Sequence, residues 1–321
     1  MSEPLISIVI PVHNEEPVLE TLYQRLTAVM DNLGKTYEVI LVHDGSKDKS
    51  AALLDELHQR RPTIFRIVHF NGNYGQHMAI MAGFEQVHGT YIITMDADLQ
   101  NPPEEIPKII EAMEKGHDVV GAYRMNRQDS AWRLVVSRLH NKLREKIAPQ
   151  LVMKDEGCML RGYHRRVVDA MVATEESSTF IPALALVFAS NPCDVGVAHA
   201  PREQGTSSYN LYKLIRYNFD LVTGFSLVPL QVFTIIGGLV SCASAILVIY
   251  LMIRRFVIGP EVEGVFTLFA ILFLLAGIIL MGLGILGEYI GRIYQEVRHR
   301  PRFVVDRIVQ QAEKKRKKVN E

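Results

Sequence analysis

The sequence has few cysteines, a single tryptophan and no excess of either charge. Its three cysteines, Cys158, Cys193 and Cys242, form no Cys-x-x-Cys pair, which predicts a reducing compartment and no zinc site. Lys+Arg 35 and Asp+Glu 35 give a net charge of 0, so no overall charge indicates a nucleic-acid partner. The N-terminus lacks a basic stretch, and Ser7 and Pro11 interrupt the first apolar run. This run therefore predicts a strand and not a signal peptide.

The first part of the chain shows a regular alternation of strand and helix patterns. Strands are predicted at residues 5–10, 37–42, 65–70, 91–94 and 119–122, and helices at 18–33, 50–60, 78–87 and from about Glu104. Such alternation predicts an α/β domain with a mostly parallel sheet covered by helices on both faces. We place this domain at residues 1–208.

The second half of the chain has two long uncharged apolar stretches, residues 229–253 and 265–285. As helices they would be about 37 Å and about 32 Å long. Both lengths exceed the hydrocarbon core of a bilayer, about 30 Å, so the region 229–291 is predicted to be a two-helix transmembrane hairpin. An amphipathic segment at 209–228 would precede it at the membrane interface, and a basic tail at 292–321 would follow it.

Basic residues predict the orientation of this hairpin. The flanking segments contain Lys213, Arg216, Arg292, Arg298, Arg300 and Arg302. The loop between the helices contains Arg254 and Arg255, which are offset by Glu261 and Glu263. The excess on the flanks predicts that the α/β domain and the tail are cytosolic. Small residues such as Gly237 could pack the two helices together or join two subunits, and the sequence leaves a homo-oligomer open.

The stretch Asp96-Ala97-Asp98-Leu99-Gln100 follows a predicted strand directly. It places two carboxylates and an amide at the carboxyl end of that strand, where an open α/β sheet binds its ligands. Such oxygen donors suit a hard divalent cation, Mg²⁺ or Mn²⁺, that also binds water and substrate phosphates. Taken alone, the motif could also be an ordinary polar turn.

Three further groups of polar residues are predicted to join this motif. Polar stretches after the first two strands would form a nucleotide pocket with Asp96, and their members are Pro11, Val12, Asn14, Glu15 and Asp44. The stretch Asn73–His77 opens a helix and would add backbone donors to this pocket, with Asn73, Gly75 and Gln76 as its predicted members. Five arginines would supply cations for a pyrophosphate: Arg124, Arg127, Arg133, Arg138 and the more distant Arg202. For each arginine alone, a surface salt bridge is the alternative.

Four motifs together carry a resemblance to a known family. They are Ile10-Pro11-Val12-His13-Asn14-Glu15, Asp44-Gly45-Ser46, Asn73-x-Gly75-x-x-x-Ala79-x-x-x-Gly83 and Asp96-Ala97-Asp98-Leu99-Gln100. The chain resembles the inverting family-2 glycosyltransferases of the Rossmann-like GT-A fold, and more narrowly the polyprenyl-phosphate glycosyltransferases. The resemblance extends over nearly the whole chain, including the hairpin.

The resemblance implies a role for each matching residue. Asp96, Asp98 and Gln100 match the metal and diphosphate site. Arg124, Arg138 and Arg202 match contacts to donor or acceptor phosphate, and Asp155 lies where related enzymes have an acidic stretch near the reacting centre. The expected catalytic residues are therefore Asp98, Asp155 and these three arginines. The family usually has Asp where this chain has His43, often has Arg at Gly72, and has Lys at Ser208.

The implied reaction is transfer of a sugar from a UDP-sugar to undecaprenyl phosphate at the cytosolic face of the bacterial inner membrane. The first expectation for the sugar is 4-deoxy-4-formamido-L-arabinose, which would serve lipid A or other envelope modification. UDP-glucose, a UDP-N-acetylhexosamine and GDP-mannose remain open as donors.

Other functional classes fit the sequence less well. A processive polysaccharide synthase should have Gln-x-x-Arg-Trp, and Trp132, the only tryptophan, has no such context. A sugar-nucleotide pyrophosphorylase should have a Gly-rich activator loop and would need no hairpin. A catalytically inactive membrane scaffold that retains the nucleotide pocket remains an alternative of a different class.

Overall fold

The computed structural model describes residues 4–125, 153–155, 157–174, 180–198, 228–259, 265–297 and 301–311. The chain divides into two compact units. The first comprises Met1–Lys142, Gln150–Ser207 and Arg300–Glu321, and the second comprises Leu143–Pro149 and Ser208–His299. Residues 209–227 of the predicted interface segment lie outside the described residues, as do four of the predicted cations, Arg127, Arg133, Arg138 and Arg202.

The first unit begins with strands that alternate with helices, as the sequence predicts. The strands are β1 (Ile6–Val12), β2 (Tyr37–His43), β3 (Phe65–Phe70) and β4 (Tyr91–Thr94), and the helices are α1 (Leu19–Asn32), α2 (Ser50–Arg60) and α3 (Gln76–Phe84). The apolar strand residues are almost all buried because helices cover both faces of the sheet.

The remainder of this unit completes the sheet. A short 3₁₀ turn, Pro103–Glu105, leads into α4 (Ile106–Glu114), and β5 (Val119–Arg124), β6 (Arg161–His164), α5 (Arg165–Ala173), α6 (Ile181–Phe188), β7 (Pro192–Val197) and β8 (Val305–Val309) follow. The eight strands form one sheet in the order β7-β5-β6-β4-β1-β2-β3-β8. Only β6 and β8 run antiparallel to their neighbours, so the prediction of a mostly parallel sheet is confirmed.

The last strand comes from residues that the sequence analysis assigned to a basic tail. Residues 305–309 pair with β3 at the edge of the sheet, with Ile67 opposite Val309 and His69 opposite Arg307. Two charged residues, Asp306 and Arg307, lie inside the strand, and residues 305–308 are exposed, as expected at a solvated sheet edge. Part of the predicted tail therefore belongs to the α/β unit.

A small-residue face brings α3 close to the sheet. Gly75, Ala79 and Gly83 follow one another at intervals of four residues and so lie on the same side of the helix. A Cβ atom at Gly83 would collide with the side chain of Val9 on β1. The glycine at this position therefore allows α3 to pack directly against the central strand that leads to the site.

The second unit contains two long helices, α7 (Val228–Ile258) and α8 (Val265–Val297). Within the described residues, Ile271–Gly291 is the one stretch long and apolar enough to cross a membrane, and the apolar stretch Leu230–Val240 is shorter. Both helices extend beyond the predicted spans, because helical hydrogen bonding continues where the apolar sequence ends. Gly282 approaches the ring of Phe233, and a Cβ atom there would collide with it.

Candidate active site

The carboxyl ends of the central strands meet at one edge of the sheet. β4, β1, β2 and β3 are neighbours in the sheet, so the loops that follow them lie side by side. The backbone N–H of Asp44 donates to the carbonyl of Val12 at 2.9 Å, and that of Met95 donates to Val9 at 3.2 Å. The structure thus brings together the loops in which the sequence places the nucleotide pocket and the metal motif.

Asp44 fixes the loop that precedes α3. Its buried carboxylate accepts hydrogen bonds from the backbone N–H groups of Tyr74, at 2.6 Å, and Gly75, at 2.9 Å. Gly75 has a φ of 90°, which favours glycine. Through these two bonds Asp44 holds the Asn73–Gly75 backbone in position.

A second set of hydrogen bonds joins the loops after β1 and β2. Asn14 has a φ of 56°, its backbone N–H donates to Ser46 Oγ at 3.0 Å, and its side-chain oxygen accepts from the backbone of Lys47 at 2.8 Å. Asn73 Nδ2 donates to the carbonyl of Asp44 at 3.2 Å. The predicted pocket residues Asn14, Asp44 and Asn73 are therefore neighbours.

His13, which the sequence analysis left without a role, belongs to the same cluster. Its Nδ1 lies 2.7 Å from the carbonyl of Asp44, so this nitrogen carries the proton and donates. The other predicted residues of this loop differ in exposure. Val12 is fully buried in the core, Pro11 is half-buried, and the backbone N–H of Glu15 donates to Ser50 Oγ at 3.1 Å. Val12 therefore packs in the core beneath the loop and anchors it.

The predicted metal motif forms a turn directly after β4. Ala97 and Leu99 are buried, whereas Asp96, Asp98 and Gln100 are half-buried at the sheet edge. Leu99 has a φ of 60°, and the backbone N–H of Gln100 donates to Asp98 Oδ1 at 3.1 Å, which closes the turn. The side-chain amide of Gln76 at the start of α3 donates to Asp96 Oδ1 and fixes that carboxylate.

These donors fit a hard divalent cation. In the part of the chain that the structure describes, no three His, Cys, Asp or Glu side chains converge as a closed metal cage. Mg²⁺ and Mn²⁺ do not need one, because they commonly bind through one or two carboxylates, water and substrate phosphates. Asp96 and Asp98 supply two such carboxylates, and Gln76 acts as the outer partner that orients one of them.

Arg124 and Asp155 form a bidentate ion pair at the end of β5. Arg124 Nε and Nη2 donate to the two carboxylate oxygens at 2.6 and 2.8 Å, and the backbone N–H of Gly157 donates to Oδ1 at 3.1 Å. The Asp155 side chain is only 5% exposed. Asp155 therefore orients Arg124. Buried Arg161 supports this loop by donating to the carbonyl of Asp155 at 2.7 Å.

The loop of Asp155 adjoins the metal motif. Cys158 Sγ donates to the side-chain oxygen of buried Asn101 at 3.4 Å, and Asn101 closely follows Gln100 in the chain. Burial raises the pKa of the Cys158 thiol to about 11, so this group is protonated and not nucleophilic at neutral pH.

His77 is a further residue at the site that sequence reasoning missed. It follows Gln76 on α3, and its ring lies 5.2 Å from that of Phe180 in an edge-to-face arrangement. Burial, assisted by the nearby Arg161, lowers the pKa of His77 to about 4, so the imidazole is neutral. The sequence signal was its place inside the Asn73–His77 stretch, which was interpreted only as a source of backbone donors.

Comparison with known proteins agrees with this geometry. Residues 7–171 match the family described as Glycosyl transferase family 2, and residues 228–293 match the one described as GtrB C-terminal hairpin. A Pseudomonas paraeruginosa protein named undecaprenyl-phosphate 4-deoxy-4-formamido-L-arabinose transferase is 48% identical over 96% of this chain and 91% of its own length. A protein of the same name from Aeromonas hydrophila is 49% identical over 96% of this chain and 95% of its own length.

Solved structures agree on the fold. A crystal structure of a mycobacterial protein covers 68% of this chain and 73% of its own, with a TM-score of 0.50 and 14% identity. The α/β unit has the GT-A fold, as the sequence predicts. The chain belongs to glycosyltransferase family 2 and is a glycosyltransferase.

Proposed function

We propose that this enzyme transfers 4-deoxy-4-formamido-L-arabinose from its UDP derivative to undecaprenyl phosphate, with inversion at the anomeric carbon. The two relatives that share 48% and 49% of their residues with nearly the whole chain have this activity in their names. The observation in the structure that supports it best is the meeting of the nucleotide-pocket loops and the Asp96 and Asp98 carboxylates at one sheet edge.

Each loop has a part in binding the donor. The loops around Asn14, Asp44 and Asn73 would hold the nucleoside, with Asp44 keeping the Asn73–Gly75 backbone in place. Asp96, Asp98 and Gln100 would hold a Mg²⁺ or Mn²⁺ ion. When bound, such an ion neutralises the charge that develops on the departing nucleoside diphosphate. Gln76 holds the Asp96 carboxylate in the orientation that this role needs.

The acceptor phosphate needs little help as a nucleophile. A phosphate monoester carries roughly one and a half to two negative charges at pH 7, so no general base has to remove a proton before attack. Asp155 suits a supporting role, because its carboxylate already accepts from Arg124 and Gly157. We propose that Arg124, together with Arg138 and Arg202, stabilises the two phosphate groups as they approach each other.

We propose that the chain crosses the inner membrane twice. The helices of 229–253 and 265–285 would form the hairpin, with the catalytic domain of 1–208 on the cytosolic side. The match of residues 228–293 to a hairpin family and the apolar stretch Ile271–Gly291 support this arrangement. The segment 209–228 would lie at the membrane interface, where the lipid phosphate of the acceptor is found.

The test is to incubate the purified full-length enzyme with undecaprenyl phosphate and a panel of nucleotide sugars, and to identify the lipid product by mass spectrometry. We expect formamido-arabinosyl phosphoundecaprenol, loss of product with EDTA and its return with Mn²⁺ or Mg²⁺. Asp98→Ala should lose transfer, whereas Asp169→Ala, which removes an exposed i,i+4 ion pair with Arg165, should not.

Three outcomes would contradict the proposal in different ways. A product from another donor of the panel would correct the sugar alone. UDP binding without any lipid-linked product would refute the acceptor. Full activity in EDTA or in Asp98→Ala would refute the metal site.

A further inference from the structure

A chain of four side chains connects the end of β2 to the edge strand β8. The nitrogen His43 Nδ1 lies 3.3 Å from His69 Nδ1, and His69 Nε2 lies 2.8 Å from Asp55 Oδ1. Arg307 Nη2 on β8 donates to the other oxygen of Asp55 at 2.7 Å. We call these four residues the histidine relay. His69 is almost completely buried, whereas the Arg307 side chain is 52% exposed, so the relay extends from the surface into the sheet.

The hydrogen bonds of the relay determine which nitrogen of each histidine carries the proton. The backbone N–H of Ser46 donates to His43 Nε2 at 3.0 Å, so this nitrogen carries no proton. In a neutral imidazole the other nitrogen must then be protonated, and His43 Nδ1 donates to His69 Nδ1. His69 therefore has its proton on Nε2 and donates it to one oxygen of Asp55, while the other oxygen of Asp55 accepts from Arg307. Each residue thus determines the tautomer of the next.

The inner end of the relay holds the loop after β2. His43 accepts from the Ser46 backbone, and Ser46 Oγ accepts from the backbone of Asn14. Gly45, in the same loop, lies against the backbone of Gly72. The position of Ser46 therefore affects three of the loops that form the nucleotide pocket.

We propose that the histidine relay positions this loop for the nucleotide donor, so that β8 contributes to donor binding although it contacts no substrate. This inference rests on the proposed nucleotide pocket. It gives His43 a specific use, because its neutral imidazole accepts from the Ser46 backbone and also passes a hydrogen bond on to His69. Arg307 and His69 are opposite each other in the β3–β8 pairing, which brings β8 next to the buried part of the relay.

Burial is the main reason that the neutral form of His43 is favoured. Burial lowers its pKa below the ordinary value of about 6.5, and His69 and His13 act in the same direction, whereas Asp44 and Asp48 oppose them. Asp55 and Arg307 complete the charged groups of the relay. If His43 gained a proton at low pH, its Nε2–H would face the Ser46 N–H, and the bond that holds the loop would be lost.

The experiment measures UDP affinity and steady-state kinetics of the full-length enzyme in nanodiscs. Arg307→Met and Asp55→Asn should each raise the Kd for UDP and the KM for the donor by about three- to tenfold, with kcat nearly unchanged. Arg307→Lys should restore part of the affinity. The matched control is Arg60→Met, which breaks an Arg60–Glu20 ion pair of 2.9 Å from the same helix as Asp55 but outside the relay.

Two further measurements separate positioning from a general loss of stability. His43→Gln keeps an acceptor near Nε2 without a titrating group, so it should flatten the loss of UDP affinity at acid pH that we expect of the unsubstituted protein. Nitrogen NMR of histidine-labelled protein should show a neutral, Nδ1-protonated His43, assigned by its absence in His43→Gln, and Asp55→Asn should change this tautomer signal.

The outcomes are distinct. If UDP binds and transfer occurs but Arg307→Met and Asp55→Asn behave like Arg60→Met, the relay has no positioning role and the proposed function stands. An Nε2-protonated His43 in the unsubstituted protein would overturn the relay directly. Failure of the unsubstituted protein to bind UDP would refute the nucleotide pocket itself, together with the role that we assign to the relay.

Discussion

Substitution of Gly45 by alanine should disrupt the site through a contact between two backbones. Gly45 has a φ of 61°, and a Cβ atom there would lie 2.5 Å from the carbonyl carbon of Gly72 and 2.7 Å from the backbone nitrogen of Asn73. Ordinary contacts begin at about 3.4 Å, so the 72–73 backbone must move by about 1 Å. A displacement of that size at a binding site can cost on the order of 10²-fold in rate, and we expect kcat/KM for the donor to fall by about that factor.

Gly34→Ala is the matched control. Gly34 has nearly the same backbone conformation, with a φ of 68°, but nothing lies within 4 Å of an added Cβ atom. Both variants carry the left-handed strain of a non-glycine residue, about 1–2 kcal/mol, which should lower Tm by several degrees. Only Gly45→Ala should also lose UDP affinity, measured by calorimetry, and transfer, measured with radiolabelled donor.

One outcome of the comparison between Gly45→Ala and Gly34→Ala would refute this prediction. If Gly45→Ala and Gly34→Ala lose the same stability and both retain the donor KM of the unsubstituted enzyme, the 72–73 backbone does not contribute to nucleotide binding. Asn73 and Gly75 would then have to be removed from the proposed pocket.

Three other substitutions test the site and its surroundings. Asp155→Asn leaves Arg124 without its carboxylate, so thermal unfolding should show a loss of about 2–3 kcal/mol, and transfer should fall because Arg124 is no longer oriented. Asp118→Ala removes a buried acceptor of three hydrogen bonds at the opposite end of β5, so it should cost about 2–4 kcal/mol in unfolding experiments while the donor KM stays constant. The Tm of the unsubstituted protein should fall as the pH is lowered from about 6.5 towards 4. In this range His77 is protonated in the unfolded chain but stays neutral in the folded protein, where burial lowers its pKa to about 4. His77→Phe should reduce this pH dependence.

The elements that the sequence predicts well are those with a strong local pattern. β1 to β4 are apolar runs between turn residues, and their polar ends predict the site because parallel strands end at the same edge. β6, β7 and β8 were not predicted. None of them is a continuous apolar run, and β8 pairs with a strand more than two hundred residues earlier in the chain, with Ile67 opposite Val309, so no local pattern indicates them.

Residue types at the site were predictable, whereas their partners were not. The sequence predicts Asp44, Asp96 and Asp98 at one edge of the sheet, and the family resemblance adds Asp155, but neither indicates which backbone or side-chain donors each carboxylate meets. The structure gives Asp44 two backbone N–H groups and gives Asp155 the guanidinium of Arg124. These pairings depend on the packing of loops that are thirty residues apart in the chain.

These internal pairings bear on how the reaction is catalysed. A general base needs a lone pair directed at the acceptor and a pKa near the working pH. Asp44 and Asp155 each have both carboxylate oxygens engaged by hydrogen-bond donors of the protein. A phosphate acceptor does not require a base, and Asp44 and Asp155 instead fix a loop and an arginine. If the proposed site is correct, catalysis depends on the placement of charge around two phosphate groups, and we therefore expect a shift of one loop backbone to affect it as much as the loss of a carboxylate.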